Sequence, residues 1–314
     1  ESVVLPIGLE TIGKEAFRNI GVGEINFPTT LKTIGAHAFE NCWNVKKVVI
    51  PEGVETVGEY AFSYMGSLTR IELPASLNNL GYSVITQNAM LTDVISNITD
   101  PFLIDSNVFG IYHWNEETNT EFYTPSPYTL YVPAGTKSKY QAIPGWTMFA
   151  SIEEGEPFDY DINFADLFTL KFRCSPDSRT ATLIQGENYD RITQLSIPAT
   201  IDVNGVNYRV KAIGSYALAN CWQLTKVILP ESLVSIGSYA FSWSAVSSIN
   251  FPSTLKTIYE HAFWDCDGLT EVKLPEGLEI IGNRAFAECS NLESLVIPST
   301  VKDFGWGIIN SDDK

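Results

Sequence analysis

Prolines close short apolar stretches at Pro6, Pro28, Pro51 and Pro74, and again at Pro230, Pro252, Pro275 and Pro298. The spacings are 22, 23 and 23 residues in both series. Positions one and three before each proline are apolar, while positions two and four before it vary in polarity. That alternation predicts a short strand with one buried face, ended by a proline that cannot donate to a ladder. A polar gap follows, then L-x-x-I-G-x-x-A-F-x-x-C, as in "LTEVKLPEGLEIIGNRAFAEC" (Leu269–Cys289). The Ile-Gly pair predicts a turn, at Gly13, Gly35, Gly58, Gly81, Gly214, Gly237, Gly282 and Gly305. The x-x-A-F-x-x-C part predicts one helical or 3₁₀ turn, whose alanine allows close approach. Its phenylalanine fills a core: Phe17, Phe39, Phe62, Phe241, Phe263 and Phe286. A single unit of this length cannot bury these side chains. Stacked units can, strand beside strand about 4.8 Å apart.

A longer repeat lies over the short one. Ile25–Phe39 ("INFPTTLKTIGAHAF") and Ile249–Phe263 ("INFPSTLKTIYEHAF") agree at twelve of fifteen positions, 224 residues apart. Two tandem arrays are therefore expected, residues 1–154 and 155–314. The unit resembles the BspA-like leucine-rich repeats of bacterial surface proteins, through eight copies of I/L/F-P and seven of A-F/L. With it the expected fold class is a leucine-rich repeat solenoid (α/β): right-handed parallel-sheet coils of about 23 residues, in two arrays with β-rich capping segments.

Thr129–Glu154 is similar to the cap that closes such arrays. Leu130, Val132, Tyr140, Trp146, Phe149 and Ile152 would cover the last coil, which otherwise exposes an apolar face and a strand edge. Upstream, Met90–Ser96 reads as a strand, Asp100–Phe109 as an irregular coil, and residues 110–128 as a long loop before the cap strand. Beyond Pro157, Phe168–Cys174 and Thr180–Gly186 alternate like antiparallel strands, and Asn204-Gly205 predicts a tight hairpin turn. This resembles a β-rich start cap, with the second array expected from Leu218–Cys221. The first array thus lacks a start cap and the second an end cap, and a longer parent chain is expected to supply both.

Composition is globular, 45% hydrophobic and 18% charged, with a net charge of −17. The acidity is even, −9 in residues 1–154 and −8 in the remainder. With no basic stripe and no long apolar run, neither nucleic acid nor membrane insertion is expected. No phosphate-loop, dinucleotide, nucleophile-elbow or zinc-protease motif occurs, so neither an enzyme nor a cofactor is expected.

The candidate chemistry mostly reduces to packing. Cys42, Cys221, Cys266 and Cys289 share a repeat position with Ile20, Met65 and Ser244. A slot that accepts Ile and Met is a core slot; a disulfide or metal pair from Cys266 and Cys289 is the lesser option. His37 and His261 share the place before Ala with Tyr60, Tyr216, Tyr239, Glu15 and Arg284, as a stacked surface row. His113 lies near Glu116 and Glu117 without ligand spacing. Asp159–Asp166 ("DYDINFAD") opens like a calcium loop, but Phe164 and Leu170 replace the required Gly and Glu.

The outward strand positions carry more information. Pairs at offset 224 include Ser2/Lys226, Lys47/Glu271, Val49/Lys273, Arg70/Ser294 and Glu72/Val296, while every inward pair stays apolar. Trp222, Trp243 and Trp264 follow the A-F/L pair in three consecutive coils, against Trp43 and Tyr64 in the first array. The candidate binding surface is Trp43, Lys47, Tyr64, Arg70, Glu72, Trp222, Lys226, Trp243, Trp264, Glu271 and Lys273. The resemblance implies a non-catalytic cell-surface or secreted recognition module, binding a host, matrix or other protein by its strand face. Glycan binding by the aromatic side chains and a plain spacer role are the alternatives.

Overall fold

The stretches that end in proline form short parallel strands that pair with their copies in neighbouring coils, with one break in each unit. The computed structural model describes residues 2–115, 120–164 and 168–309, in two compact units, Glu1–Glu156 and Pro157–Lys314. In the first unit Ser2–Val4 pairs with Glu24–Asn26, and Lys47–Val49, Arg70–Leu73 and Asp93–Ser96 share one front sheet. Val48 lies opposite Ile71 and both are buried, whereas Lys47 and Val49 are exposed. In the second unit Gln194–Ser196, Lys226–Ile228 and Ser248–Ile249 form one front ladder, and Glu271–Lys273 and Ser294–Val296 another.

Each coil also enters a second parallel sheet where the sequence predicts only a turn. Thr11–Ile12, Thr33–Ile34, Thr56–Val57 and Asn79–Leu80 build it in the first unit. Ser235–Ile236, Thr257–Ile258, Ile280–Ile281 and Asp303–Phe304 build it in the second. Two residues are too short a run for alternation to reveal, so this sheet was illegible from pattern.

The x-x-A-F-x-x-C segment is not the expected helical turn. It is a pair of tight turns carrying two left-handed residues four positions apart: His37 and Asn41 at φ 57° and 61°, Tyr239 and Trp243 at 56° and 57°. Such backbone costs a non-glycine residue about 1–2 kcal/mol. Hydrogen bonding between coils outweighs it. The N–H groups of His37, Phe39 and Asn41 donate to the carbonyls of Glu59, Ala61 and Ser63 at 2.8–2.9 Å. Tyr239, Phe241 and Trp243 donate in the same way to Glu260, Ala262 and Trp264. A helix would direct those N–H groups back into its own coil; here they form a third ladder along the stack. Among the described residues the only α-helix is the short Lys137–Gln141.

The cores are columns of like side chains. Phe241, Phe263 and Phe286 stack with centroids 5.0 Å apart and planes within 3°. Phe17, Phe39 and Phe62 stack likewise at 5.2 and 5.6 Å, with planes within 8°.

The segment Thr129–Glu154 closes the first unit. Ser126–Val132 and Phe149–Glu154 extend the front sheet, and Leu130, Val132, Tyr140, Trp146, Phe149 and Ile152 are all buried. Trp146 Nε1 donates to Phe102 O at 2.8 Å, and Tyr140 Oη donates to Ile98 O at 2.7 Å. Part of the long loop expected at 110–128 is instead a hairpin of Ile111–Asn115 and Thr120–Thr124. At the opening of the second unit, Phe158–Phe164, Phe168–Ser175 and Thr180–Glu187 form an antiparallel meander. It joins the second sheet through Val206–Ile213. Asn204 and Gly205 turn the adjoining hairpin with φ 54° and 82°. The second array starts earlier than expected: Gln194–Ser196 already pairs with Lys226–Ile228. Its coil was hidden because a hairpin replaces the Ala-Phe turn.

Candidate recognition surfaces

The cysteines belong to the core. Among the described residues all are free thiols. Cys42, Cys266 and Cys289 donate Sγ–H to the carbonyls of Phe17, Phe241 and Phe263, one coil back, at 3.0–3.1 Å. Asn88 serves Phe62 O in the same way at 2.8 Å. Burial pushes the Cys42 thiol up to about 11, and burial above all pushes that of Cys266 to about 12, so neither is a thiolate nucleophile.

The histidine row is a ring stack. Tyr216, Tyr239 and His261 lie face to face at 4.8 and 4.5 Å, and His37 stacks on Tyr60 at 5.1 Å. The left-handed backbone at these positions aligns the rings, and stacking returns about 0.5–1.5 kcal/mol per pair. Burial, then the Arg284 charge, lowers His261 to about 4, so the ring is neutral at physiological pH. The side chain of His113, with Glu116 and Glu117, lies outside the described residues. Asp159–Phe164 belongs to the opening strand of the meander, with Ala165 and Asp166 outside the described residues.

The two strand faces differ in how their charges are satisfied. In the first unit Glu72 Oε1 receives both Lys47 Nζ and Arg70 Nε at 2.9 Å. In the second, Lys226, Glu271 and Lys273 are exposed and none of them is in an ion pair with a described residue. Burial alone would raise the Glu72 carboxyl, but Lys47 and Arg70 outweigh it and hold it below the usual value. A depressed carboxyl contributes stability above its unfolded pKa, and that stability is lost as pH falls through the folded value. Glu72→Gln is therefore expected to cost up to about 1 kcal/mol at neutral pH in urea unfolding and nothing at about pH 2. A deficit that persists in acid would contradict this.

The tryptophans do not form a single row. Trp222 comes four residues after Leu218, Trp243 two after Phe241, and Trp264 one after Phe263. Trp264 lies against His261 and Trp243, with centroids 5.5 and 4.9 Å away. Trp222 is 65% exposed. Trp43 and Tyr64 are partly exposed in the first unit.

One cavity brings together predicted and unpredicted residues. Trp222 and Trp243, with Ser244, Ala245, Asp265, Asp267 and Gly268, line an open notch of about 340 Å³. It lies where the coil from Phe241 to Pro252 is one residue shorter than its neighbours. The front ladder also breaks there, between Ser248–Ile249 and Glu271–Lys273. Asp265 and Asp267 were missed as site residues. The signal that could have located them was the Pro230–Pro252 spacing of 22 among spacings of 23.

The family model described as BspA type leucine rich repeat region matches residues 1–110 and 189–312, in six copies. No curated protein matches the chain. A leucine-rich repeat protein of T. pallidum is 27% identical over 46% of this chain and 65% of its own length, with a TM-score of 0.41. A leucine-rich repeat protein from Bacteroides capillosus is 28% identical over 46% of this chain and 96% of its own, at 0.35. A leucine rich cell surface protein from Faecalibacterium prausnitzii is 18% identical over 100% and 87%, at 0.38.

Proposed function

The chain belongs to the BspA-type leucine-rich repeat family, and from that premise we propose that it is a non-catalytic, surface-exposed or secreted recognition module that binds a partner protein through the strand face of its second unit. The unpaired charges of that face carry the reading. Lys226, Glu271 and Lys273 stand on parallel strands beside exposed Ile228 and Val296, with no ion pair to any described residue to break on binding. Rows set by a stacked backbone are preorganised, so the backbone adds little ordering cost to association. In the first unit the strand-face charges are already engaged with one another, Lys47 and Arg70 both on Glu72.

The test is surface plasmon resonance of the whole chain against purified extracellular-matrix proteins, beside Lys226→Glu/Lys273→Glu. Binding by the native chain that weakens roughly tenfold or more in the variant is expected for a rim of charges acting together. Equal binding by both chains would remove the strand face from the reading. No binding to any matrix protein would favour a spacer.

A further inference from the structure

The notch between Trp222 and Asp267 has a counterpart in the first unit, and the two have opposite contents. At offset 224, Ala245 corresponds to Gly21, Asp265 to Asn41 and Asp267 to Trp43. Both lie at a coil one residue short, as the 22-residue spacings Pro6–Pro28 and Pro230–Pro252 record. In the first unit the shortfall is filled from within. The Trp43 ring lies over Gly21, so close that a Cβ there would sit 3.3 Å from its Cζ2. In the second unit Asp267 replaces that ring and the space stays open.

We propose that the open notch of the second unit is a binding site for the guanidinium group of an arginine side chain presented by a partner protein. The shape calls for a flat group, since Trp43 fills the equivalent space with an indole. The walls call for a cation. Trp222 and Trp243 present indole rings, the aromatic surface that attracts guanidinium most strongly. Asp265 and Asp267 add two carboxylates, and neither is in an ion pair with any described residue of the chain. Asp267 is held in place, because its Oδ1 accepts the Ser290 N–H at 2.9 Å. Burial first, then the charges of Asp267 and Glu288, pushes the Asp265 carboxyl up. A planar fork of N–H donors meets two carboxylates and a ring face together, which a lysine ammonium cannot do. The chain uses the same chemistry one coil further on, where Arg284 Cζ lies 4.5 Å from the Trp306 ring centre. This site is separate from the strand-face charges, so either proposal can fail alone.

The test is a ligand-observed NMR titration of the whole chain with N-acetyl-arginine amide. N-acetyl-citrulline amide, of the same shape but uncharged, and methyl glucoside are run beside it. Saturable arginine binding, at least about tenfold tighter than citrulline, is the expected result. Asp265→Asn/Asp267→Asn should weaken it about tenfold. Asp267→Trp with Ala245→Gly, which copies the filled notch of the first unit, should abolish it. Thermal unfolding checks that each variant is folded; should the filled-notch variant not fold, the Asp→Asn pair decides. Equal binding of citrulline, or arginine binding unchanged in the Asp→Asn pair, overturns the proposal. Methyl glucoside binding in preference to arginine also overturns it, in favour of a glycan site.

Discussion

Phe263→Ala is expected to lower the stability of the second unit by about 4 kcal/mol. Phe263 is fully buried, with Phe241 and Phe286 stacked on its two faces at 5.0 Å and the Phe251 ring edge-on at 5.7 Å. Truncation removes the transfer gain of a whole ring and leaves a cavity. The backbone cannot close it, because Phe263 N donates to Ala285 O at 2.8 Å and Phe241 N to Ala262 O at 2.8 Å. Three ring contacts are lost as well, worth about 0.5–1.5 kcal/mol each. In a solenoid each coil rests only on its neighbours, so the damage stays local in origin. Hydrogen exchange should quicken at the amides of residues 236–286 while those of residues 31–80 keep their protection. Phe263→Leu should recover most of the loss, since it restores volume without the stack. A Phe263→Ala deficit below about 1.5 kcal/mol would mean that the column is not what holds the coils together.

The front sheet was legible because its signal is redundant. Val48, Ile71, Val227 and Val272 sit at one alternation phase in coil after coil, and proline marks each end. The second sheet was not, because Thr33–Ile34 offers no alternation to read. The left-handed turns were invisible for a different reason. Tyr60, Tyr239 and Trp243 are poor residues for positive φ by local preference. Their conformation is imposed by hydrogen bonds to a coil some 20 residues away, which no local propensity encodes. The candidate site divides in the same manner. Lys226 and Lys273 could be placed on an exposed face by counting from proline. The notch could not be placed by residue type, since Trp222, Trp243 and Asp267 occupy different repeat positions. It exists because one coil lacks a residue, and a missing residue is seen only against the spacing of the others.

Gly282→Ala is expected to cost the second unit about 3 kcal/mol, although it adds a single methyl group. The glycine is not there for backbone freedom, because its φ is not in the left-handed region. It is there for clearance. A Cβ on Gly282 would stand 2.4 Å from Glu260 N and 2.6 Å from Tyr259 C, all backbone of the preceding coil. Backbone cannot rotate aside as a side-chain tip can. The coils must separate, which stretches the 2.8 Å bond from Gly282 N to Ile258 O. The next coil is pressed on in its turn, with a Gly305 Cβ falling 2.3 Å from Gly282 C. Tyr259 holds this motif position in one coil, whereas the contacts at Gly282 leave no room for a side chain. Gly13 supplies the control. It has the same place in the motif, yet nothing lies within 4 Å of its Cβ position. Gly13→Ala should therefore be neutral, or stabilising by up to about 1 kcal/mol through the unfolded chain. Urea unfolding of both variants measures the difference. Equal effects at the two sites would show that the repeat's glycine serves local conformation, whereas a loss confined to Gly282 identifies it as the spacer that sets how closely coils can stack.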